Sequence, residues 1–237
     1  MTVLKLCLYQ NMVNYRVENS FGYVQSYPLP TFSMVRGMAH SLLGLKEYKP
    51  LKISIQGKFN NVATNMQRII KFDKAGRENN PYRVIVNGSQ RTATHGIMFV
   101  DSLVNCKLIL HIAFDDKKLT KKLYEKVLTD TVVLGRNEDI ARVDFEKTKL
   151  VNIKQVNKVR LKYPIYIDKK IALDVKNQPV GTYYKLPFYY NKVYSFRDLR
   201  VFKFVECMYV AEGTLKNFYI DDDKDIVSFF GGDWCMI

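Results

Sequence analysis

The sequence predicts an α+β fold, with two helices packed on one antiparallel sheet and a β-rich part after them. Residues 3–9 alternate apolar and polar side chains, which is typical of a strand with one face on a core. Residues 35–43 repeat apolar side chains at helical spacing. Up to about residue 148, the order is strand, helix, strand, polar insertion, strand, helix, strand. This β-α-β-β-α-β order is the ferredoxin-like arrangement of RNA-recognition motifs.

The first helix has a distinctive entry. Pro28 and Pro30 force extended backbone before it, Ser33 is its expected N-cap, and Gly44 is suited to end it. The core-facing stripe consists of Val35, Met38, Ala39, Leu42 and Leu43. Arg36 lies off that stripe, and so does a histidine one turn later, His40.

The other elements of this first part follow from similar patterns. Residues 51–59 alternate as a second strand, and residues 106–114 form a strongly apolar third strand. Asp115 or Asp116 is expected to cap a second helix, after which residues 131–134 return to β structure. We therefore expect one ferredoxin-like domain over residues 1–148.

The polar insertion at residues 60–96 is too long for an ordinary connection. It is rich in Asn, Gln, Thr, Gly and Arg, and Asn87-Gly88 is a strong hairpin signal. Its basic and aromatic side chains are Arg68, Lys71, Phe72, Lys74, Arg77, Tyr82, Arg83, Arg91 and His95. Arginine forks suit phosphates, so an extended RNA-binding hairpin is one interpretation. An exposed loop with ordinary charges is the other, and the residues leave both open.

Residues 149–237 carry β-prone, aromatic segments and almost no helical signal, which predicts a β-rich C-terminal domain. Lys158, Arg160 and Lys162 fall on one face of a strand there. Such a basic strip can follow a nucleic-acid backbone, but it also protects an exposed edge strand from aggregation, which we favour. Asp221-Asp222-Asp223 is expected to be a solvated turn rather than a metal site.

The composition favours a polyanionic partner. Lys and Arg number 37 against 23 Asp and Glu, a net charge of +14 with a pI near 9.5. Nucleic acid is the first candidate and an anionic membrane the second, while a basic surface kept for solubility is the plain alternative. No apolar run could span a membrane, no signal peptide opens the chain, and the four cysteines lack metal-ligand spacing. We expect a cytoplasmic protein with reduced thiols and neither metal nor cofactor.

The sheet itself lacks the base-stacking aromatic residues of an RNA-recognition motif. The available positions on its first and third strands are Lys5, Cys7, Tyr9, Lys107, Ile109 and His111. RNA would therefore bind in a groove made by loops and the insertion. His111 is expected to be packed in the core, whereas His95 in the insertion could contact RNA.

Three features together resemble the fifth CRISPR-associated protein family, of the RAMP superfamily, and more narrowly its type I-B members. They are the N-terminal strand, the segment YPLPTFSMVRGMAHSLLGL at residues 27–45, and VVLGRNEDIA at residues 132–141. The resemblance covers the order of the N-terminal half, whereas the C-terminal half agrees only in broad character.

The resemblance implies a non-catalytic subunit of the Cascade surveillance complex in antiviral defence. Such a subunit holds the 5′ handle of the crRNA, caps the backbone filament, contacts the terminal backbone subunit and the large subunit, and meets target DNA through the assembled complex. The insertion would be its thumb, placed between handle and guide. With Ser33 at an open helix N-terminus that receives phosphate, the expected RNA-binding residues are Ser33, Arg36, His40, Arg68, Arg77, Arg83, Arg91, His95 and Arg136.

Two alternatives remain. The type I-C branch of the family is a metal-independent processing endoribonuclease with a tyrosine and an adjacent Lys-His pair. This chain has Leu110 before His111, which argues against cleavage. The other alternative is a structural bridge whose basic surface meets acidic protein partners.

Overall fold

The computed structural model describes residues 2–20, 22–72, 82–173, 179–193 and 199–231. Its elements in chain order are β1 (Val3–Val13), β2 (Tyr23–Val24), α1 (Phe32–Leu43), β3 (Leu51–Lys58), β4 (Asn61–Phe72), β5 (Tyr82–Val86), β6 (Ser89–Phe114), α2 (Lys117–Thr129), β7 (Val132–Val133), β8 (Ile140–Val143), β9 (Lys149–Val151), β10 (Ile153–Arg160), β11 (Ile165–Asp168), α3 (Lys169–Ala172), β12 (Gly181–Val193), β13 (Leu199–Val210), β14 (Thr214–Asp221) and β15 (Ile226–Val227).

The predicted α+β fold is confirmed. The main sheet has the strand order β12-β13-β11-β3-β6-β1-β8-β7. Its centre, β3-β6-β1-β8, is antiparallel throughout and has the strand order of a ferredoxin-like sheet. The apolar side chains of β1 and β6 interleave on one face, where α1 and α2 cover them; Leu4, Leu6 and Leu110 are fully buried.

The predicted cap of α1 is wrong by two residues. Thr31, not Ser33, is the N-cap, and its hydroxyl oxygen accepts a hydrogen bond from the Met34 N–H at 3.3 Å. Gly44 ends the helix in the left-handed conformation, with φ of 65°, as expected. The leading end of the helix is not open: Thr31 and Phe32 are fully buried, and the Phe32 ring lies 4.3 Å from that of Phe230.

The described residues of the insertion form a two-stranded ribbon, as the hairpin interpretation predicted. One continuous strand of 26 residues, β6, pairs antiparallel with β4 and then with β5. Asn87 and Gly88 turn the tip with φ of 50° and 75°, so both take the left-handed backbone that this dipeptide favours. The paired part from Ser89 to Val104 spans about 50 Å at the rise of a strand.

Strands from residues 149–231 extend the same sheet and also cover its second face. β11 pairs with β3, and β13 and β12 follow beyond it. β10, β14 and β15 form a separate sheet with β10 at its edge, as we favoured for the basic strip. The division at residue 148 into domains 1–148 and 149–237 stays a prediction, although strands from both sides of it share one sheet.

The predicted turn at Asp221–Asp223 is present and exposes Asp222 and Asp223, but Asp221 is fully buried and belongs to a charge cluster around Lys5. Lys5 is only 2% exposed, and its Nζ lies 2.8, 2.7 and 2.6 Å from carboxylate oxygens of Asp221, Asp223 and Asp225. Asp221 Oδ2 also lies 3.1 Å from His111 Nε2. Burial alone would lower the pKa of Lys5, but the three carboxylates outweigh it and raise that pKa. The lysine ammonium thus occupies the centre of an acidic triad.

Within the described residues, no helix combines the length and apolar character needed to cross a membrane.

Candidate nucleic-acid interface

The ribbon gathers part of the predicted RNA-binding set on one of its faces. Residues directly opposite in an antiparallel pair share a face. The pairs Arg68–Ile97 and Ile70–His95 therefore lie side by side. Arg68 Nε donates a short hydrogen bond to His95 Nδ1, and the Tyr82 ring lies 4.3 Å from the His95 ring.

Large apolar side chains are exposed on this same face. The exposed fraction is 67% for both Met66 and Ile97, 55% for Ile70 and 48% for Phe99. A row of this kind on a projecting ribbon indicates a surface that a partner covers. The arginine and histidine among these side chains add polar and cationic groups to it.

The remaining predicted residues of the ribbon are less uniformly placed. Arg91 pairs with Val84, is half-buried and falls on the same face as His95. Arg83 pairs with Thr92, so it belongs to the opposite face, where it is exposed. Arg77 lies outside the described residues.

Arg136 lies near the base of the ribbon, where protein groups already bind its guanidinium. Its Nε and Nη2 donate to the two carboxylate oxygens of Asp139 at 3.2 and 3.1 Å. Its Nη1 lies 3.1 Å from Glu138 and 3.3 Å from Gln67 Oε1 of β4. The pKa of Arg136 is raised because these acids outweigh the effect of its burial. Its bonds join the turn at residues 134–139 to the ribbon.

Ser33, Arg36 and His40 come together in a second place, a cleft of about 580 Å³ between α1 and β12. Volumes of this size are typical of ligand sites. We call it the aromatic cleft; its lining residues are Ser33, Arg36, Gly37, His40, Ser41, Leu45, Lys46, Glu47, Tyr48, Tyr189 and Tyr190.

Arg36 does not face a nucleic-acid groove as an open cation. It is 5% exposed, and its guanidinium carbon lies 4.4 Å from the ring centre of Phe188, 4.8 Å from that of Tyr48 and 5.5 Å from that of Tyr189. Such distances are those of cation–π contacts. The guanidinium thus holds three rings from two distant parts of the chain in fixed positions.

The surroundings of His40 favour its neutral form, because they lower its pKa. Burial is the main reason that its pKa is lowered, and the nearby Arg36 cation adds to the effect, while a hydrogen bond with the Lys49 backbone opposes it. Its ring stacks on that of Phe114, and Nε2 is buried with no hydrogen-bond partner among the described residues. A buried ring nitrogen without a partner points to a group that the described chain does not supply.

The other expectations about the sheet are supported. His111 is fully buried, as predicted for a packed histidine, and Lys5 and Cys7 are buried on the same face. The turn between β14 and β15 covers this part of the sheet, since its Asp221 binds both Lys5 and His111. The sheet positions that an RNA-recognition motif uses for stacking are therefore blocked there.

Sequence reasoning missed the aromatic partners of Arg36. Tyr48 lies five residues after the last residue of α1, and its exposure could not be judged from local pattern. Phe188 and Tyr189 belong to the segment TYYKLPFYYNKVY, whose aromatic density was the available signal. Nothing in that pattern indicates that the segment packs against α1.

The comparisons with known proteins give similarity of fold. No protein-family model matches the chain, and no curated protein matches it. A chain of the structure described as "CRISPR RNA-guided surveillance complex" has a TM-score of 0.56 and 13% identity, with 90% of this chain and 91% of that chain covered.

Two other solved structures are less similar. A chain of the "Type III-B Cmr-beta bound to cognate target RNA and AMPPnP" has a TM-score of 0.44 and 13% identity, covering 92% of this chain and 86% of that one. The "CRISPR protein from Archaeoglobus fulgidus" has a TM-score of 0.45 and 10% identity, covering 98% of this chain and 100% of that one. At such identities the likeness shows the fold alone, which this chain shares with the first of these proteins over 90% of its length.

Proposed function

We propose that this chain is a non-catalytic subunit of a CRISPR RNA-guided surveillance complex and holds the 5′ handle of its crRNA. The observation that carries the proposal is the ribbon of about 50 Å, with exposed apolar and cationic side chains, rising from a ferredoxin-like sheet. The fold similarity to a chain of such a complex and the net charge of +14 support it. The motif resemblance described above points to a type I-B Cascade.

The ribbon suits the role of a thumb at the boundary between handle and guide. Arg68 and Arg91 lie on the face that also exposes Phe99 and Ile97. Arginine forks bind phosphate oxygens, and flat or branched apolar side chains pack between unstacked bases. An apolar face of this size would be a liability in an isolated protein, which favours permanent cover by RNA and neighbouring subunits. The finer roles, capping the backbone filament and contacting the large subunit in a cytoplasmic defence complex, belong to this proposal.

The absence of catalysis is part of the proposal. Metal-independent cleavage needs a general base and a general acid on either side of one phosphodiester. The three histidines lie in different settings: His40 in the aromatic cleft, His95 on the ribbon and His111 in the core. This arrangement favours RNA retention over cleavage.

The test is crRNA binding by the assembled complex as a function of salt. We compare the wild type with Arg68→Ala/Arg91→Ala, and use Lys154→Ala/Lys158→Ala on the exposed edge strand β10 as the matched control. Each lost phosphate contact should reduce the slope of log K against log salt by about 0.7 for single-stranded RNA. The ribbon variant should lose slope and affinity, and the control should keep both.

Equal affinity and slope in the ribbon variant would contradict the proposal. Incubation of the chain with repeat RNA in EDTA examines the endoribonuclease alternative, because a discrete cut product would overturn the non-catalytic role. A crosslinking map without handle contacts would favour the structural bridge.

A further inference from the structure

The aromatic cleft has its rings held in place before any ligand arrives. Tyr48 and Tyr189 lie with ring centres 5.2 Å apart, and both pack against the Arg36 guanidinium. Tyr48 nevertheless keeps 48% of its surface exposed. A ring that is fixed on one side and open on the other is a stacking platform, and its fixed position lowers the ordering cost of binding.

The rim of the cleft carries positive charge on the strand that follows β12. Lys203 Nζ lies 5.3 Å from the ring centre of Tyr189, and the Arg200 guanidinium carbon lies 4.9 Å from that of Tyr190. The charged residues that line the cleft itself are Arg36, Lys46 and Glu47. Among the described residues, two cationic side chains of the lining and two of the rim outnumber one carboxylate, which favours an anionic ligand.

The floor of the cleft offers a hydrogen-bond acceptor. The lowered pKa of His40 favours the neutral ring, and the ring bonds to the Lys49 backbone. Because Nε2 has no partner among the described residues, this bond involves Nδ1 by elimination. The bond to the Lys49 backbone acts to raise the pKa of His40, so it is one in which the ring donates. Nδ1–H is therefore the donor, and in the neutral ring Nε2 carries the lone pair. The Tyr48 ring packs beside His40, with centres 6.4 Å apart, so this buried acceptor lies next to the stacking platform.

From this geometry we infer that the aromatic cleft binds one unpaired nucleobase together with its phosphate. The base stacks on the open side of Tyr48, and the phosphate lies at the basic rim. The inference rests on the proposed function in taking RNA as the ligand, and it adds a second contact point away from the ribbon. It replaces the expectation of a phosphate at the N-terminus of α1, whose leading end is buried.

The first experiment uses a minimal probe. Adenosine 5′-monophosphate and ribose 5-phosphate are titrated into the full chain carrying ring-labelled tyrosine, and the tyrosine signals are followed by NMR. Adenosine monophosphate should shift the signals of Tyr48, Tyr189 and Tyr190, whereas ribose 5-phosphate, which lacks a base, should leave the Tyr48 signal in place. Equal shifts with both probes, or none with either, would overturn the inference.

The second experiment uses octaadenylate RNA and a matched pair of variants. Tyr48→Leu removes the platform. Tyr183→Leu changes a ring of nearly equal exposure, 49% against 48%, on β12 but outside the lining of the cleft. Stacking of one base predicts a loss of about tenfold in affinity for Tyr48→Leu and no change for Tyr183→Leu. Thermal unfolding of both variants shows whether the fold is kept; if Tyr48→Leu is unstable, Tyr48→Phe should retain binding and Lys203→Ala should weaken it.

These outcomes separate the two proposals. Unchanged affinity in Tyr48→Leu, with loss in Arg68→Ala/Arg91→Ala, would reject the cleft and leave the RNA-holding role intact. The opposite result is a crosslinking map of the complex without contacts between this chain and the crRNA, while adenosine monophosphate still shifts the Tyr48 signal. The RNA-holding role would then fail, and the cleft would remain a nucleotide site.

Discussion

Replacing Lys5 by methionine should destabilise the protein strongly, because Lys5 is a buried cation. Methionine keeps the length of the side chain but removes the cation that three carboxylates surround at 2.6 to 2.8 Å. Removing one partner of a buried ion pair costs about 3 to 5 kcal/mol, because the remaining charges stay buried. The Asp223 carboxylate is 39% exposed and keeps part of its hydration, so we expect the lower end, about 3 kcal/mol.

Denaturant unfolding and thermal melting measure this loss. For a chain of this size, about 3 kcal/mol corresponds to a fall in Tm of roughly 6 to 12 °C. Lys149→Met is the matched control, because Lys149 also binds Asp223, at 2.8 Å, but is 45% exposed. Exposed pairs contribute about 0 to 1 kcal/mol. Equal losses in the two variants, or a loss below 1 kcal/mol for Lys5→Met, would refute the reasoning.

The pH dependence should change with the same substitution. His111 and Lys5 lower the pKa of Asp221 against the effect of its burial. The pKa of Asp221 is lower in the native state than in the unfolded chain, and between these two pKa values the unfolded chain binds more protons. This contribution to wild-type stability is therefore complete above about pH 4 and is lost as the pH falls below it. In Lys5→Met the crowded carboxylates should bind protons more readily in the native state. The free energy of unfolding of that variant should therefore rise as the pH is lowered from 7 to 5, whereas that of the wild type should not.

Other predictions concern the acidic triad without its lysine, the close approach at Gly57, the Asp139 carboxylate and the thiols. Lys5→Ala should gain thermal stability in millimolar Ca²⁺, about 2.7 kcal/mol at a hundredfold excess over Kd, and the wild type should gain none. Gly57→Ala should cost about 1 to 3 kcal/mol in urea unfolding, because a Cβ there would lie 2.7 Å from a leucine side chain of β6. Asp139→Asn should cost about 2 kcal/mol by the same assay, since its carboxylate binds backbone N–H groups and a guanidinium, while Glu138→Gln, at an exposed acid, should cost under 1 kcal/mol. In a Cys235→Ser background, iodoacetamide at pH 8 should label the chain only after unfolding, because burial raises the pKa of each described thiol, to about 11 for Cys7 and Cys106 and about 12 for Cys207.

Local pattern was sufficient wherever a side chain's environment depends on its near neighbours. Alternation in β1 placed Leu4 and Leu6 in the core, and the Asn87-Gly88 dipeptide located the ribbon tip. The cap of α1 was misplaced by two residues because both Thr31 and Ser33 can accept the capping bond. The choice between them depends on where the buried Phe32 ring packs, which involves Phe230 near the other end of the chain.

Of the two candidate sites, the sequence predicted the ribbon but not the aromatic cleft. The arginines of the ribbon could be listed, since an unusually long polar insertion marks them. The aromatic cleft could not be predicted, because Arg36 and the rings of β12 are about 150 residues apart in the chain. Arg36 and Lys5 are both polar residues at positions that local periodicity assigns to a non-core face.

The sequence alone determined the order of the elements, the apolar faces of the strands and first helix, and the strong positive charge. Only the tertiary structure decided which polar side chains are buried, since the second face of a helix or sheet is covered by whatever the chain brings to it. Here, residues 221–225 cover Lys5 and His111, and β12 covers Arg36. Hydrophobic periodicity shows which face of a helix or strand is apolar. The desolvation of a charged side chain depends instead on residues that are distant in the sequence and pack against it in the fold.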